Sequence, residues 1–170
     1  MMAFRIAWFK VHKPLAFYSA YFYRRSQKGG FDAEMMCAGT EAVRRKINDM
    51  KRRQDLSANE EDLLVTLEAV YEFNLRGFSF APIDLYQSDA VKFLPVDDTR
   101  LRPPFVALSG LGEAAAEDLA KCGRSGEKFI SMEELNAACP KVSQTALEAL
   151  KRLGALGDMP ESSQISLFEW

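Results

Sequence analysis

Histidine is almost missing from this chain: His12 is the only one in 170 residues, and the three cysteines, Cys37, Cys122 and Cys139, form no CxxC pair. That scarcity excludes the ligand clusters that hold structural or catalytic zinc. An odd, scattered set of thiols offers no disulfide framework and fits a reducing compartment. No apolar run approaches the ~20 residues that cross a bilayer. The first residues also lack the basic segment, apolar core and small-residue cleavage site of a secretory signal. The expected compartment is the cytoplasm, with no membrane partner. Nor is there a strong net charge: 22 Lys/Arg against 24 Asp/Glu leave −2, which argues against wholesale wrapping of nucleic acid.

That near-balance hides an asymmetry. Residues 1–55 carry 12 Lys/Arg and 5 Asp/Glu, whereas residues 56–170 carry 10 and 19. The front third can lie near phosphates, although a basic helix face is often merely solvated; over the acidic remainder any DNA contact has to be local. With 48% hydrophobic and 27% charged residues, the chain is globular material for one domain or two small ones.

The opening stretch MMAFRIAWFKVHKPLAFYSAYFYRR crowds Phe4, Ile6, Trp8, Phe9, Val11, Leu15, Phe17, Tyr18, Tyr21 and Phe22 into two helical pieces, with Pro14 in the first turn of the second. Apolar residues on most faces predict burial on several sides. With no cap and no polar lead-in, residue 1 is expected to be an interior position of a longer polypeptide. Asp32 and Thr40 are positioned to cap the next two helices, the second of them basic. Ser57-Ala-Asn-Glu60 reads as a capping box, ahead of Leu63, Leu64, Leu67, Val70, Tyr71 and Leu75 at helical spacing and a stop at Gly77. Residues 78–89 read as an extended connector, and residues 91–104 as a small hairpin around Asp97-Asp98. A paired aspartate can hold a metal but more often only makes the turn.

Specific chemistry begins at PPFVALSGLGEAAAEDLAK. A short apolar helix is broken by Gly110-Leu111-Gly112, and a second starts at once through Glu113 and Ala114. Two glycines around one apolar residue permit a tight turn, leaving the amides of residues 111–114 at a helix N-terminus. Such a cluster binds a phosphate oxygen without reading a base, while Leu111 plugs inward. A lone GxG is weak. A glycine-poor second copy strengthens it: a capping box at Ser131, a helix through Ala138, the turn CPKVS, and an amphipathic helix over QTALEALKRLGAL. This is the layout of a tandem helix-hairpin-helix, with Lys141, Ser143 and Gln144 as the second grip. The GDMPESS stretch ahead of the C-terminus reads as a flexible leash.

The strings MMAFRIAWFKVHKPLAFYSAYF, LRGFSFAPIDLYQSDAVKFL, RPPFVALSGLGEAAAEDL, KVSQTALEALKRLGAL and QISLF resemble, in that order, the C-terminal end of the PolC-type DNA polymerase III alpha subunit. The resemblance spans essentially the whole chain and is weakest over residues 41–61. It implies a mainly α fold: the distal part of the fingers over 1–90, a tandem helix-hairpin-helix domain with a small β-hairpin over 91–158, and a flexible tail over 159–170. Implied partners are duplex DNA, held by its backbones, the remaining polymerase domains and the sliding clamp. The clamp-binding pentapeptide would be Gln164, Ile165, Ser166, Leu167 and Phe168, with Gln164 bonding at the rim and Leu167 and Phe168 entering an apolar cleft. Catalytic residues and a resident metal or cofactor are not expected in this segment; Mg²⁺ belongs to the family's palm, and a monovalent cation at the glycine hairpin is a further candidate. Two other readings compete: a free-standing adaptor using the same hairpin and clamp hook, and a base-excision glycosylase. The glycosylase needs a catalytic aspartate beyond the hairpin, where Asp118 is expected at a surface-like position.

Overall fold

Pro14 divides the first two helices, α1 (Met2–His12) and α2 (Pro14–Ser26), by taking the first position of the second, where its missing N–H costs nothing. The computed structural model describes residues 2–162, and among these it holds eight α-helices, one 3₁₀ turn and three short strands. The fold is mainly α.

Helix starts follow the polar signals with one exception. The Asp32 side chain accepts from the Met35 amide to open α3 (Ala33–Met36). Thr40, expected as a cap, is instead the first residue of α4 (Thr40–Arg52), which Gly39 precedes without any side-chain cap. At α5 (Ala58–Leu75) the capping box is complete: Ser57 Oγ accepts from the Glu60 amide at 3.3 Å and Glu60 Oε2 from the Ser57 amide at 2.9 Å. The bond from the Ser57 amide, followed by one from Arg53, holds the Glu60 carboxyl down to about 2. Val43, Ile47 and Met50 of α4 and Leu67, Val70 and Phe73 of α5 are buried, and the two helices pack side by side. Leu75, expected in that core, is 65% exposed in the last turn of α5.

Phe22 of α2 is the hub of the core. Its ring lies 5.4–5.8 Å, centroid to centroid, from Tyr18, Phe31, Phe73, Phe80 and Phe93. The predicted hairpin forms from β2 (Leu94–Pro95) and β3 (Arg100–Arg102), which run antiparallel. Asp97 makes the turn, accepting from the Thr99 amide and Arg100 Nε, and no group of metal-ligating side chains assembles among the described residues. The connector carries more structure than its sequence shows: β1 (Ser79–Phe80) pairs in parallel with β3, giving the order β1-β3-β2. This sheet joins segments from both sides of residue 90, and one continuous core runs from Tyr18 to Leu156.

The first helix contributes no buried residue. Phe4 is 77% exposed and Val11 66%, so the many-sided burial read from the sequence is not met within the described residues. The helix lies along α2, and polar contacts tie down its end: Lys10 Nζ lies 2.7 Å from Glu72, and Arg76 donates to the Lys10 carbonyl at 2.9 Å and to the Tyr18 hydroxyl at 3.2 Å. Burial, followed by the bond to Glu72, pushes Tyr18 up to about 12.

Residues 83–89 form a wedge between α6 (Glu113–Arg124) and the end of α8 (Gln144–Arg152). The Leu85 amide donates to the Ala155 carbonyl at 3.0 Å, and Asp89 pairs with Arg124. At Gly123 a Cβ would stand 2.0 Å from the Leu85 carbonyl oxygen, so only glycine permits this approach. Gly123→Ala is expected to lower the unfolding free energy by about 3 kcal/mol; urea denaturation of the two proteins checks it.

Candidate nucleic-acid interface

The two expected hairpins are built alike 31 residues apart. In the first, the Leu111 amide donates to the Leu108 carbonyl at 3.2 Å; in the second, the Val142 amide donates to the Cys139 carbonyl at 3.1 Å. Leu111 and Val142 are the inward plugs, 6% and 4% exposed. Each turn delivers the chain to an N-cap of nearly the same conformation, Gly112 at φ −72, ψ 161 and Ser143 at φ −73, ψ 153. The carbonyl of each cap then accepts from residues three and four further on, Ala115 and Ala116 or Ala146 and Leu147.

The turns reach that geometry by different residues. Gly110 takes φ +82, at the third turn position, where a type II turn requires a left-handed residue. The second turn has Pro140 at its second position, preset for a type I turn, and no non-glycine residue among the described residues has positive φ. Gly112 itself is extended, so only one of the two glycines in the GLG string is needed for its backbone freedom. The helix ahead of the first turn is a single 3₁₀ turn over Phe105–Ala107, shorter than the sequence predicts.

Of the four amides expected at the glycine hairpin, that of Leu111 is consumed by the turn. Those of Gly112, Glu113 and Ala114 carry no hydrogen bond among the described residues, and the same holds for Ser143, Gln144 and Thr145. These are the unsatisfied donors of a helix start, and all six residues are exposed. The Ser143 hydroxyl accepts from the Ala146 amide at 3.3 Å, so Ser143 acts first as a cap. Lys141 lies 4.0 Å from Asp118, its side chain 59% exposed. The carbonyls of Ser109 and Gly110 accept no hydrogen bond among the described residues.

The relation between the hairpins corrects three expectations. Asp118 is not at the surface: its side chain is 19% exposed and faces Lys141 across the two hairpins. Glu134 does not close a capping box on Ser131; Ser131 caps α7 (Met132–Ala138), but the Glu134 carboxylate accepts from the Ile130 amide at 2.8 Å. The last helix ends at Arg152, because Gly154 at φ +74 turns the chain where the pattern alone continues to Leu156. Two thiols stitch the units together, Cys122 Sγ 3.7 Å from the Ala138 carbonyl and Cys139 Sγ 3.9 Å from that of Asp118. Burial, followed by the neighbouring Cys122 thiol, pushes Cys139 up to about 12.

Residues 160–162 are fixed and not leash-like. The carbonyls of Pro160 and Glu161 accept from the Met132 and Glu133 amides at 2.9 and 3.1 Å, and Lys151 pairs with Glu161 at 2.8 Å. The start of α7 has unsatisfied amides of its own, and the returning chain fills them. Gln164, Ile165, Ser166, Leu167 and Phe168 lie outside the described residues. On the other side of the first turn, a cleft of about 610 Å³ separates Leu108–Glu113 from Ser26, Phe31 and Asp32. No helix among the described residues is long and apolar enough to cross a membrane.

The helix-hairpin-helix motif family matches residues 77–165. The chain is 45% identical, over 99% of its length, to the DNA polymerase III PolC-type of Streptococcus pneumoniae serotype 2 strain D39. It is likewise 45% identical to that of Streptococcus thermophilus strain LMD-9 and 44% to that of Streptococcus pyogenes. In each comparison the chain spans 11% of the relative's length.

The two glycines of the first turn are separable. Gly110→Ala is expected to cost about 1–2 kcal/mol of stability, whereas Gly112→Ala, with nothing within 4 Å of its Cβ, is expected to cost under about 1 kcal/mol, because alanine is a poorer N-cap than glycine. Chemical denaturation of both variants reads the difference.

Proposed function

The chain belongs to the helix-hairpin-helix family, and from that membership we propose that it is the C-terminal portion of a PolC-type replicative DNA polymerase. In this reading it holds duplex DNA without regard to sequence and tethers the polymerase to its sliding clamp during replication in the cytoplasm. The observation that carries the reading is the pair of equivalent turns, each presenting three unengaged amides at a helix start. Two such sets suit the two backbones of a duplex. Amides that bond phosphate oxygens fix position and carry no base information, which is what an enzyme that copies any sequence needs behind its active site.

The assignment divides the chain into the distal fingers over residues 1–90, the duplex-binding domain over 91–158 and the tail over 159–170. The exposed apolar face of α1, with the groove of about 450 Å³ lined by Ile6, Phe9, Phe17 and Ala20, fits packing against other polymerase domains. Nucleotidyl transfer is assigned to palm carboxylates and Mg²⁺ outside this segment; residues 2–162 bind and position. A monovalent cation on the Ser109 and Gly110 carbonyls would stiffen the first turn. Residues Gln164 to Phe168 are the clamp hook, with Leu167 and Phe168 as apolar anchors. Residues 160–162, bonded to the start of α7, lie just ahead of this hook in the sequence. Duplex and clamp contacts then reinforce each other by raising effective concentration.

Two experiments test this reading. Ala114→Asp with Thr145→Asp puts a carboxylate over each set of amides; helix starts favour the charge, but phosphates are repelled, so duplex affinity is expected to fall at least roughly tenfold with stability unchanged. Unchanged affinity in an anisotropy titration removes the turns from the interface. Ending the chain at Ser163 is expected to abolish binding to the cognate clamp while leaving duplex binding intact, and calorimetric titration of both chains reads it.

A further inference from the structure

The turns offer DNA neutral amides and little spare positive charge. Residues 91–158 carry nine Lys/Arg against ten Asp/Glu. Near the hairpins Lys141 faces Asp118, while Arg124, Lys151 and Arg152 are paired with Asp89, Glu161 and Glu34. Salt-dependent affinity for a duplex comes from cations that displace condensed counterions; the cations of this domain outside any ion pair among the described residues, Lys92, Arg102, Lys121 and Lys128, sit on separate stretches of chain.

Helix α4 has its cations together. Its buried stripe of Val43, Ile47 and Met50 faces the core, and Arg44, Arg45, Lys46, Lys51 and Arg52 are all exposed against only Glu41 and Asp49. Lys51 is tied to Glu68 at 2.6 Å, and Arg44 leans on Glu41 at 3.8 Å. Arg45, Lys46 and Arg52 make no ion pair or hydrogen bond among the described residues. Seven residues are two helical turns, so Arg45 and Arg52 share a face about 10 Å apart along the axis, with Lys46 on its flank; a duplex presents a charge roughly every 1.7 Å. The short helix that precedes α4 borders the hairpin region: Asp32, at its head, lines the same cleft as Leu108–Glu113, and Glu34 bonds Arg152 at the end of α8.

We propose that the outer face of α4, through Arg45, Lys46 and Arg52, is a second contact for the phosphate backbone of the duplex. It supplies the salt-sensitive part of binding, and the hairpin amides supply the part that salt affects least. The proposal rests on the reading of the hairpins as a duplex contact, and the two are separable by experiment.

The full chain is titrated with a labelled duplex of mixed sequence from about 50 to 200 mM salt, circular dichroism confirming the fold of each variant. R45Q/K46Q/R52Q is expected to reduce the slope of log affinity against log salt by roughly 0.9 per lost phosphate contact, up to about 2.7, and to weaken binding at least about tenfold at the lowest salt. R45K/K46R/R52K is expected to keep the wild-type slope. Wild-type affinity and slope in the Gln variant, with binding lost in A114D/T145D, would overturn this proposal and leave the hairpin reading standing. Unchanged binding in A114D/T145D would overturn the hairpin reading instead, and no change in either variant would overturn both. A Gln variant that keeps duplex binding but no longer binds polyglutamate would mark α4 as a surface for an acidic protein and would equally overturn the assignment to nucleic acid.

Discussion

The contact on which the rest of this structure depends is the aromatic packing around Phe22. Its ring touches residues from four separate stretches of chain, Phe31, Phe73, Phe80 and Phe93 as well as Tyr18 of its own helix. Ring pairs at such separations add about 0.5–1.5 kcal/mol each beyond area burial, and here they are mutually supporting. Through Phe80 and Phe93 the cluster fixes the entrance to the sheet; through β3 it fixes the start of the first turn. The wedge of residues 83–89 then locks α6 against the chain after α8, at the one place where Gly123 lets backbone meet backbone. The hairpins are thus positioned by the helical front half of the chain, which makes no phosphate contact at the turns itself.

The equivalence of the two turns shows how different residues converge on one backbone. What both require is an apolar plug, a carbonyl three residues before it to accept its amide, and a cap in extended conformation. Leu111 with Gly112 and Val142 with Ser143 both meet that need. Gly110 provides a left-handed residue where Pro140 provides a preset φ. A search for glycines alone finds only the first copy; the pattern of plug and cap finds both.

Much of this was legible because it rests on local chemistry. Pro14, Asp32, the Ser57–Glu60 box and Leu111 act within a few residues of themselves, and their outcomes follow from the sequence. The misread positions involve distant partners. The pairing of β1 with β3 leaves no trace in a two-residue strand, and the exposure of Leu75 depends on where the core stops. Asp118 looked like a surface residue of α6 until the second turn brought Lys141 to it. The return of Pro160 and Glu161 onto α7 was hidden because proline, glutamate and serine read as linker, whereas the deciding factor is two unsatisfied amides at Met132 and Glu133. The many apolar faces of α1 led to an expectation of burial on several sides, which the described residues do not meet.

On the proposed reading, the mild acidity of the hairpin region has a physical use. A contact built from cations gains affinity from counterion release wherever it lies on a duplex, and more such contacts make release slower. Amides aimed by a helix start bond a phosphate oxygen only at short range and in the right direction, so they register the backbone without holding it strongly. Carboxylates such as Glu113 and Glu117 on α6, which those amides open, limit long-range attraction further. An enzyme that must advance one base pair at a time gains from a grip that aligns strongly and attracts weakly, provided that something else keeps it from leaving. The proposed clamp hook would suit that second task, because apolar anchors on a partner other than the duplex need not let go as the duplex moves.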